Sequence, residues 1–260
     1  MYNLYENTAH LYDLEYRDHM LEDIRFYIGY AQKQKGKILE LACGTGRVAL
    51  ALADKGFHVT GLDLSEQMLA VFREKLAKKP DLNDKIELIH GNMANFNINR
   101  KFTLIIVPYR AFQALTDDRD VDSSLACVQN HLADNGLFIV SAFYPLPPLK
   151  DKSWRYDETV QWERLDEETG NTVVKKMWGN EPDTVNHVVY PSFAFEVTYP
   201  DGSTERLVDH LAMKCYYPEQ LTSVIKKAGM EVAEEYSWYD KKPLYGAPVR
   251  EIIYVCKKKT

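Results

Sequence analysis

This 260-residue chain contains no apolar run approaching the ~20 residues that a bilayer-spanning helix needs. It is short of cysteine, with Cys43, Cys127, Cys215 and Cys256 far apart and no Cys-x-x-Cys pair. That excludes a disulfide scaffold and a cysteine-rich metal module, and the four thiols are expected to be reduced in a cytoplasmic protein. Positive charge is not in excess. Lys and Arg number 32 against 38 Asp and Glu, a net charge of −6, so no general basic field exists for nucleic acid or an anionic membrane. Lys257-Lys258-Lys259 reads as a solvated tail. The histidines are scattered without His-x-x-x-His spacing, so no metal site is expected. Repeats and low-complexity stretches are absent, and the opening Met1–Glu6 has neither the basic region nor the apolar core of a secretory signal.

What is present is an alternation of strands and helices. Ile38–Ala42 is a short apolar strand, and Val48, Ala49, Leu52 and Ala53 follow at helical spacing until Lys55-Gly56. Phe57–Leu62 is a second strand. Ser65 is placed to N-cap a helix carrying Met68, Leu69, Phe72 and Leu76. Ile86–His90 and Phe102–Val107 are further strands, the latter unbroken enough for a parallel strand covered on both faces. Val121, Leu125, Val128 and Leu132 mark a helix that Asn135-Gly136 is expected to stop, and Leu137–Phe143 is a fifth strand.

The period then changes. From Thr159 to about Met213 residues alternate in polarity, with turn clusters at Glu168–Asn171 and Pro200–Ser203. Pro218 opens a helix closed by Gly229, and strands are expected over Glu231–Tyr239 and Val249–Cys256. The fold class predicted is α/β: a mostly parallel seven-stranded sheet with helices on both faces and an inserted antiparallel β-sheet. Residues 1–150 form an N-terminal segment and core, 151–214 the insertion, and 215–260 the return that completes the core.

The chemistry gathers around Glu40-Leu41-Ala42-Cys43-Gly44-Thr45-Gly46, with Asp63 ending the next strand. A strand, a glycine turn, a helix and a later carboxylate make a nucleotide-binding βαβ unit. Gly44-x-Gly46-x-x-Ala49 also satisfies the nicotinamide fingerprint, and Asp63 suits any ribose diol. Glu40 separates the cofactors. A carboxylate just ahead of the turn repels a pyrophosphate, whereas it suits a ligand ending in a cationic amino acid, as S-adenosylmethionine does. At the end of the third strand, Gly91-Asn92-Met93 is placed to read an adenine.

These motifs, with Gly61-Leu62-Asp63-Leu64-Ser65-Glu66-Gln67-Met68-Leu69, resemble the cofactor motifs of class I S-adenosylmethionine-dependent methyltransferases. Ala9–Tyr16 and the late insertion resemble a subgroup with amino-sugar N,N-dimethyltransferases and glycine N-methyltransferase-like enzymes. The resemblance implies that Glu40 serves the methionine amino group, directly or through water. It implies that Ala42, Gly44 and Gly46 admit the ligand to the backbone, and that Asp63 takes the ribose hydroxyls. Leu64 or Met68 would pack near the adenine, Asn92 and Met93 would read its edge, and Tyr16, with Tyr12, would close over the cofactor. Asn92 and Thr103 depart from the family pattern, each standing where aspartate is common.

A ligand of an open α/β sheet lies beyond the carboxyl ends of the strands. That selects Pro108–Gln113, with Arg110 as either a substrate-holding cation or a surface ion pair, and Tyr144. The insertion adds Trp154, Trp162, Trp178 and His210; the aromatics read chiefly as its core and His210 as a candidate base, with Arg250 a further candidate. The expected activity is methyl transfer to a small-molecule amine, amino-sugar-like by resemblance, or hydroxyl. The rival readings are a nicotinamide-dependent oxidoreductase or epimerase, and a cofactor-binding protein without turnover. The acidic balance and the lack of an Asn-Pro-Pro-Tyr-like motif argue against nucleic-acid methylation. The oligomeric state, monomer or homodimer, is left open.

Overall fold

Apolar runs too short for helices set the centre of the molecule. A computed structural model describes residues 2–15, 20–145, 148–149, 152–245 and 251–259. In it β1 (Ile38–Leu41), β2 (Val59–Asp63), β3 (Ile86–His90), β4 (Phe102–Val107) and β5 (Leu132–Phe143) run parallel. Every residue of β1 and β2 is buried, as a strand covered on both faces requires. The last strands, β12 (Met230–Tyr236) and β13 (Glu251–Lys258), complete the order β12-β13-β5-β4-β1-β2-β3, with β13 antiparallel to both neighbours. The order reverses between β1 and β4, and a ligand crevice opens at such a switch point.

Helices cover both faces. On one, α4 (Asp118–His131) and α5 (Pro218–Lys227) bury Leu125, Val128, Leu221 and Ile225. On the other, α1 (Met20–Gln34), α2 (Arg47–Asp54) and α3 (Glu66–Ala77) bury Tyr27, Leu52 and Phe72. Each such side chain contributes roughly 1.5–3 kcal/mol. The expected cap is present, with the Ser65 hydroxyl accepting the Met68 N–H at 3.2 Å.

The region of alternating polarity is a second sheet. β6 (Tyr156–Leu165), β7 (Thr172–Gly179), β9 (Pro191–Thr198) and β10 (Thr204–His210) lie in the antiparallel order β10-β9-β7-β6. A two-residue pair, β8 (Val188–Val189) with β11 (Met213–Lys214), adjoins it in sequence. Both turn clusters close hairpins: Asp166 N–H donates to Asn171 O, and Tyr199 N–H to Ser203 O. The inner face of this sheet, Val173, Phe193, Phe195 and Val197, packs on Leu11, Tyr5 and Leu14. The N-terminal segment is fixed there, the Thr8 hydroxyl donating to buried Asp209 at 2.6 Å.

Two expectations are corrected. Helix α4 ends at His131, not at Asn135-Gly136. The His131 ring meets Cys127 O at 2.7 Å and accepts the Ile98 N–H at 2.9 Å, while residues 133–136 are absorbed as a register shift within β5. Strand β12 stops at Tyr236 rather than running to Tyr239, because Ser237 N–H turns back to Lys242 O. Helix α1 had no counterpart in the sequence reading.

Candidate active site

The crevice at the switch point is a cavity of about 920 Å³. Its cofactor end is built by the turn after β1. Ala42, Gly44 and Gly46 all have positive φ, at 54°, 54° and 84°. For Ala42 this is a strained conformation, of the kind that recurs at ligand sites. Gly44 lines the cavity, and a Cβ built on it meets nothing within 4 Å, so its backbone is open to a ligand. Gly46 differs. A Cβ there would stand 2.4 Å from the Phe72 ring, so this glycine serves the close approach of α2 to α3 and is not part of the lining.

Asp63, at the end of β2, faces the same turn. One carboxylate oxygen accepts the Gly44 N–H at 2.7 Å and the other the Ser65 N–H at 2.8 Å. Burial raises its pKa, and those two donors oppose the shift. Leu64 and Met68 line the cavity beside it, Leu64 as an exposed side chain at the rim. Asn92 and Met93 line it after β3. The Asn92 side-chain oxygen accepts the Ala94 N–H at 2.8 Å, which fixes its orientation and leaves one lone pair for a further donor.

Glu40 lies behind the lining, 2% exposed, with one carboxylate oxygen lacking a hydrogen-bond partner. Desolvation pushes its pKa up to about 8, against the opposing pull of Arg47. Its carboxylate sits directly behind the turn and is not among the groups that line the cavity. Arg47 pairs with Asp23 at 2.8 Å and sits 5.6 Å from the Tyr109 ring centroid.

At the other end, Arg110 and Tyr144 line the cavity. Arg110 is an ion-pair residue: its Nε donates to Glu251 Oε1 at 2.6 Å, and Glu251 is buried. Tyr144 meets Tyr217 edge-on at 5.8 Å. His210 is removed from the candidates, because it is exposed on β10, bonded to Ser192 Oγ at 2.8 Å, and not in the lining. Its position in an edge strand, outward in the pleat, accounts for this. Tyr16 and Arg250 lie outside the described residues.

The cavity also gathers Tyr5, Glu15 and Lys175, which the sequence did not single out, beside Tyr12 and Tyr109 of the expected segments. Burial together with neighbouring Tyr12 and Glu15 raises the Tyr5 phenol far above its ordinary range. Asp13 ties the N-terminal segment over the glycine turn, accepting the Thr45 hydroxyl and the Lys75 ammonium, each at 2.7 Å. One signal was available: Lys175 sits at an inward position of an alternating strand.

Residues 38–136 match the family model of a methyltransferase domain. The chain is a class I S-adenosylmethionine-dependent methyltransferase. A putative methyltransferase of Geobacillus sp. is 27% identical over 239 residues, covering 88% of this methyltransferase and 90% of the relative. A dTDP-3-amino-3,6-dideoxy-alpha-D-glucopyranose N,N-dimethyltransferase of Streptomyces fradiae is 28% identical over 142 residues, about half of each chain. Among solved structures, the CcbJ methyltransferase of Streptomyces caelestis has the same fold, with a TM-score of 0.80 at 22% identity, covering 100% and 99% of the two chains. The match sets aside the oxidoreductase reading. The residues fit the cofactor on their own terms too: an open Gly44 backbone, a buried carboxylate oxygen without a partner, and a carboxylate and an amide spaced along successive strand ends.

Proposed function

We propose that this methyltransferase methylates the amine nitrogen of a small-molecule acceptor, with amino sugars the first class to test. The observation that carries the reading is the single cavity shared by the two ends. It runs from Gly44 and Asp63 to the aromatic inner face of the second sheet at Phe193 and Phe195.

S-adenosylmethionine supplies a methyl group already activated on a sulfonium. The chain's own residues bind and orient. Asp63 holds the ribose diol, Asn92 and Met93 read the adenine, Leu64 and Met68 pack against it, and Glu40, ionised by the cationic methionine end, supplies negative potential behind it. The aromatic lining excludes water. An amine suits this lining better than a hydroxyl, since a neutral amine needs only to lose a proton and be held in line with the methyl. The relative from Streptomyces fradiae, an amino-sugar N,N-dimethyltransferase, supports the same class.

The test is S-adenosylhomocysteine formation with a dTDP-amino sugar and a panel of small amines and alcohols. Formation with amines alone supports the reading, and formation with alcohols alone contradicts it.

A further inference from the structure

Lys175 breaks the pattern of its strand. In β7 the inward positions are Val173, Lys175 and Met177, opposite Val197, Phe195 and Phe193 of β9. Lys175 is only 4% exposed among these groups. Burying an ammonium among aromatic rings is costly unless it is paired, and a polar residue kept against the binary pattern marks a working site. Its partner is Glu15, which comes from the N-terminal segment packed on this face and forms an ion pair with it. The Lys175 ammonium also lies 5.2 Å and 5.7 Å from the centroids of Phe193 and Phe195. Both members of the pair line the cavity.

The other carboxylates in the lining are Asp63, held by Gly44 and Ser65, and Asp120, in the first turn of α4. Glu15 is the lining carboxylate that pairs with the inner face of the second sheet. Tyr5, which meets the Tyr12 ring edge-on at 5.3 Å, lines the same cavity. Arg164 of β6 donates to the carbonyl of Leu14 at 2.6 Å and holds the segment from the other side.

We propose that Glu15 binds the amino group of the acceptor and takes its proton, and that Lys175 is the positioning residue that holds Glu15 and repels the bound ammonium. The inference rests on the amine reading above. An ammonium has no lone pair for methyl transfer. Brought beside a fixed cation in a poorly solvated cavity, it is driven towards its neutral form, and Glu15 is in place to receive the proton. The nitrogen lone pair then forms the N–C bond as the C–S bond breaks, its electron pair passing to sulfur to leave a thioether. The methylated ammonium sheds a further proton to solvent on release.

The experiment is calorimetric titration of the full chain, loaded with S-adenosylhomocysteine, with benzylamine and with benzyl alcohol at neutral pH. Benzylamine is expected to bind the wild type in preference to the alcohol. Glu15→Gln is expected to weaken benzylamine about tenfold and leave the alcohol unchanged. Lys175→Met, which suits the apolar face, is expected to tighten benzylamine, since the repelling charge is gone. The assignment is overturned if the wild type does not prefer the amine, if Glu15→Gln leaves benzylamine binding unaltered, or if either variant moves both probes alike. S-adenosylhomocysteine formation by the wild type with amines, scored separately, judges the amine reading itself.

Discussion

The Asp63 carboxylate accepts the backbone N–H of Gly44 at 2.7 Å across the two strand ends. One side chain therefore shapes the glycine turn and lines the cavity. Asp63→Ala removes that bond, the one to Ser65, and the acceptor proposed for the ribose. With charged hydrogen bonds contributing ~1.5–3 kcal/mol each, S-adenosylmethionine binding is expected to weaken by about 100-fold or more. Titration calorimetry reads this directly, and an unchanged dissociation constant removes Asp63 from the site.

Gly46 bears on stability, through the close approach of α2 to α3. Its φ of 84° and the 2.4 Å approach of a Cβ to the Phe72 ring leave no room for a side chain. Gly46→Ala is expected to destabilise the fold by about 2–4 kcal/mol, combining backbone strain with overpacking. Gly44→Ala meets open space and pays the backbone term alone, about 1 kcal/mol, while obstructing the ligand. Urea denaturation of the two variants side by side distinguishes these roles.

Glu40 makes stability depend on pH. Its folded pKa is raised to about 8 from the usual carboxylate range near 4.5. Between these values the folded chain binds more protons than the unfolded one, so its contribution is full below about pH 4.5 and is lost as pH rises through 8. A cation bound nearby favours the ionised form, so cofactor binding near pH 7 is expected to release protons. Calorimetry in two buffers of different ionisation enthalpy measures the release, and Glu40→Gln is expected to abolish it.

Arg110 and Glu251 form a pair in which the acid is buried and the base is about one-third exposed. Arg110→Ala leaves the carboxylate without this cation. A fully buried pair would cost 3–5 kcal/mol to break, and the partial exposure of Arg110 reduces the expectation to roughly 2 kcal/mol. Pairing Arg110→Ala with Glu251→Gln is expected to recover part of the loss in the same denaturation assay.

The cofactor half was legible because its signals are local. Glycine turn, carboxylate and apolar strand lie within thirty residues of one another, and strands β1 to β4 appeared close to where periodicity placed them. Helix α1 was missed because its core positions are Phe26, Tyr27 and Tyr30, with buried Asp23 beside them, so its inner face reads as less apolar than a typical stripe. The acceptor half was illegible for a different reason. Glu15 and Lys175 are 160 positions apart and meet only when the second sheet closes over the N-terminal segment. Arg110 shows the limit from another side, since its loop was placed by topology while its partner, Glu251, required the last strand to be in register with β5.

The most direct test of the central claim is mass spectrometry of reactions containing the purified chain, S-adenosylmethionine and a panel of amines and alcohols that includes a dTDP-amino sugar. The expected result is S-adenosylhomocysteine together with an acceptor carrying one or more added methyl groups on nitrogen. Tight binding of S-adenosylmethionine with no methylated amine from any member of the panel would contradict it.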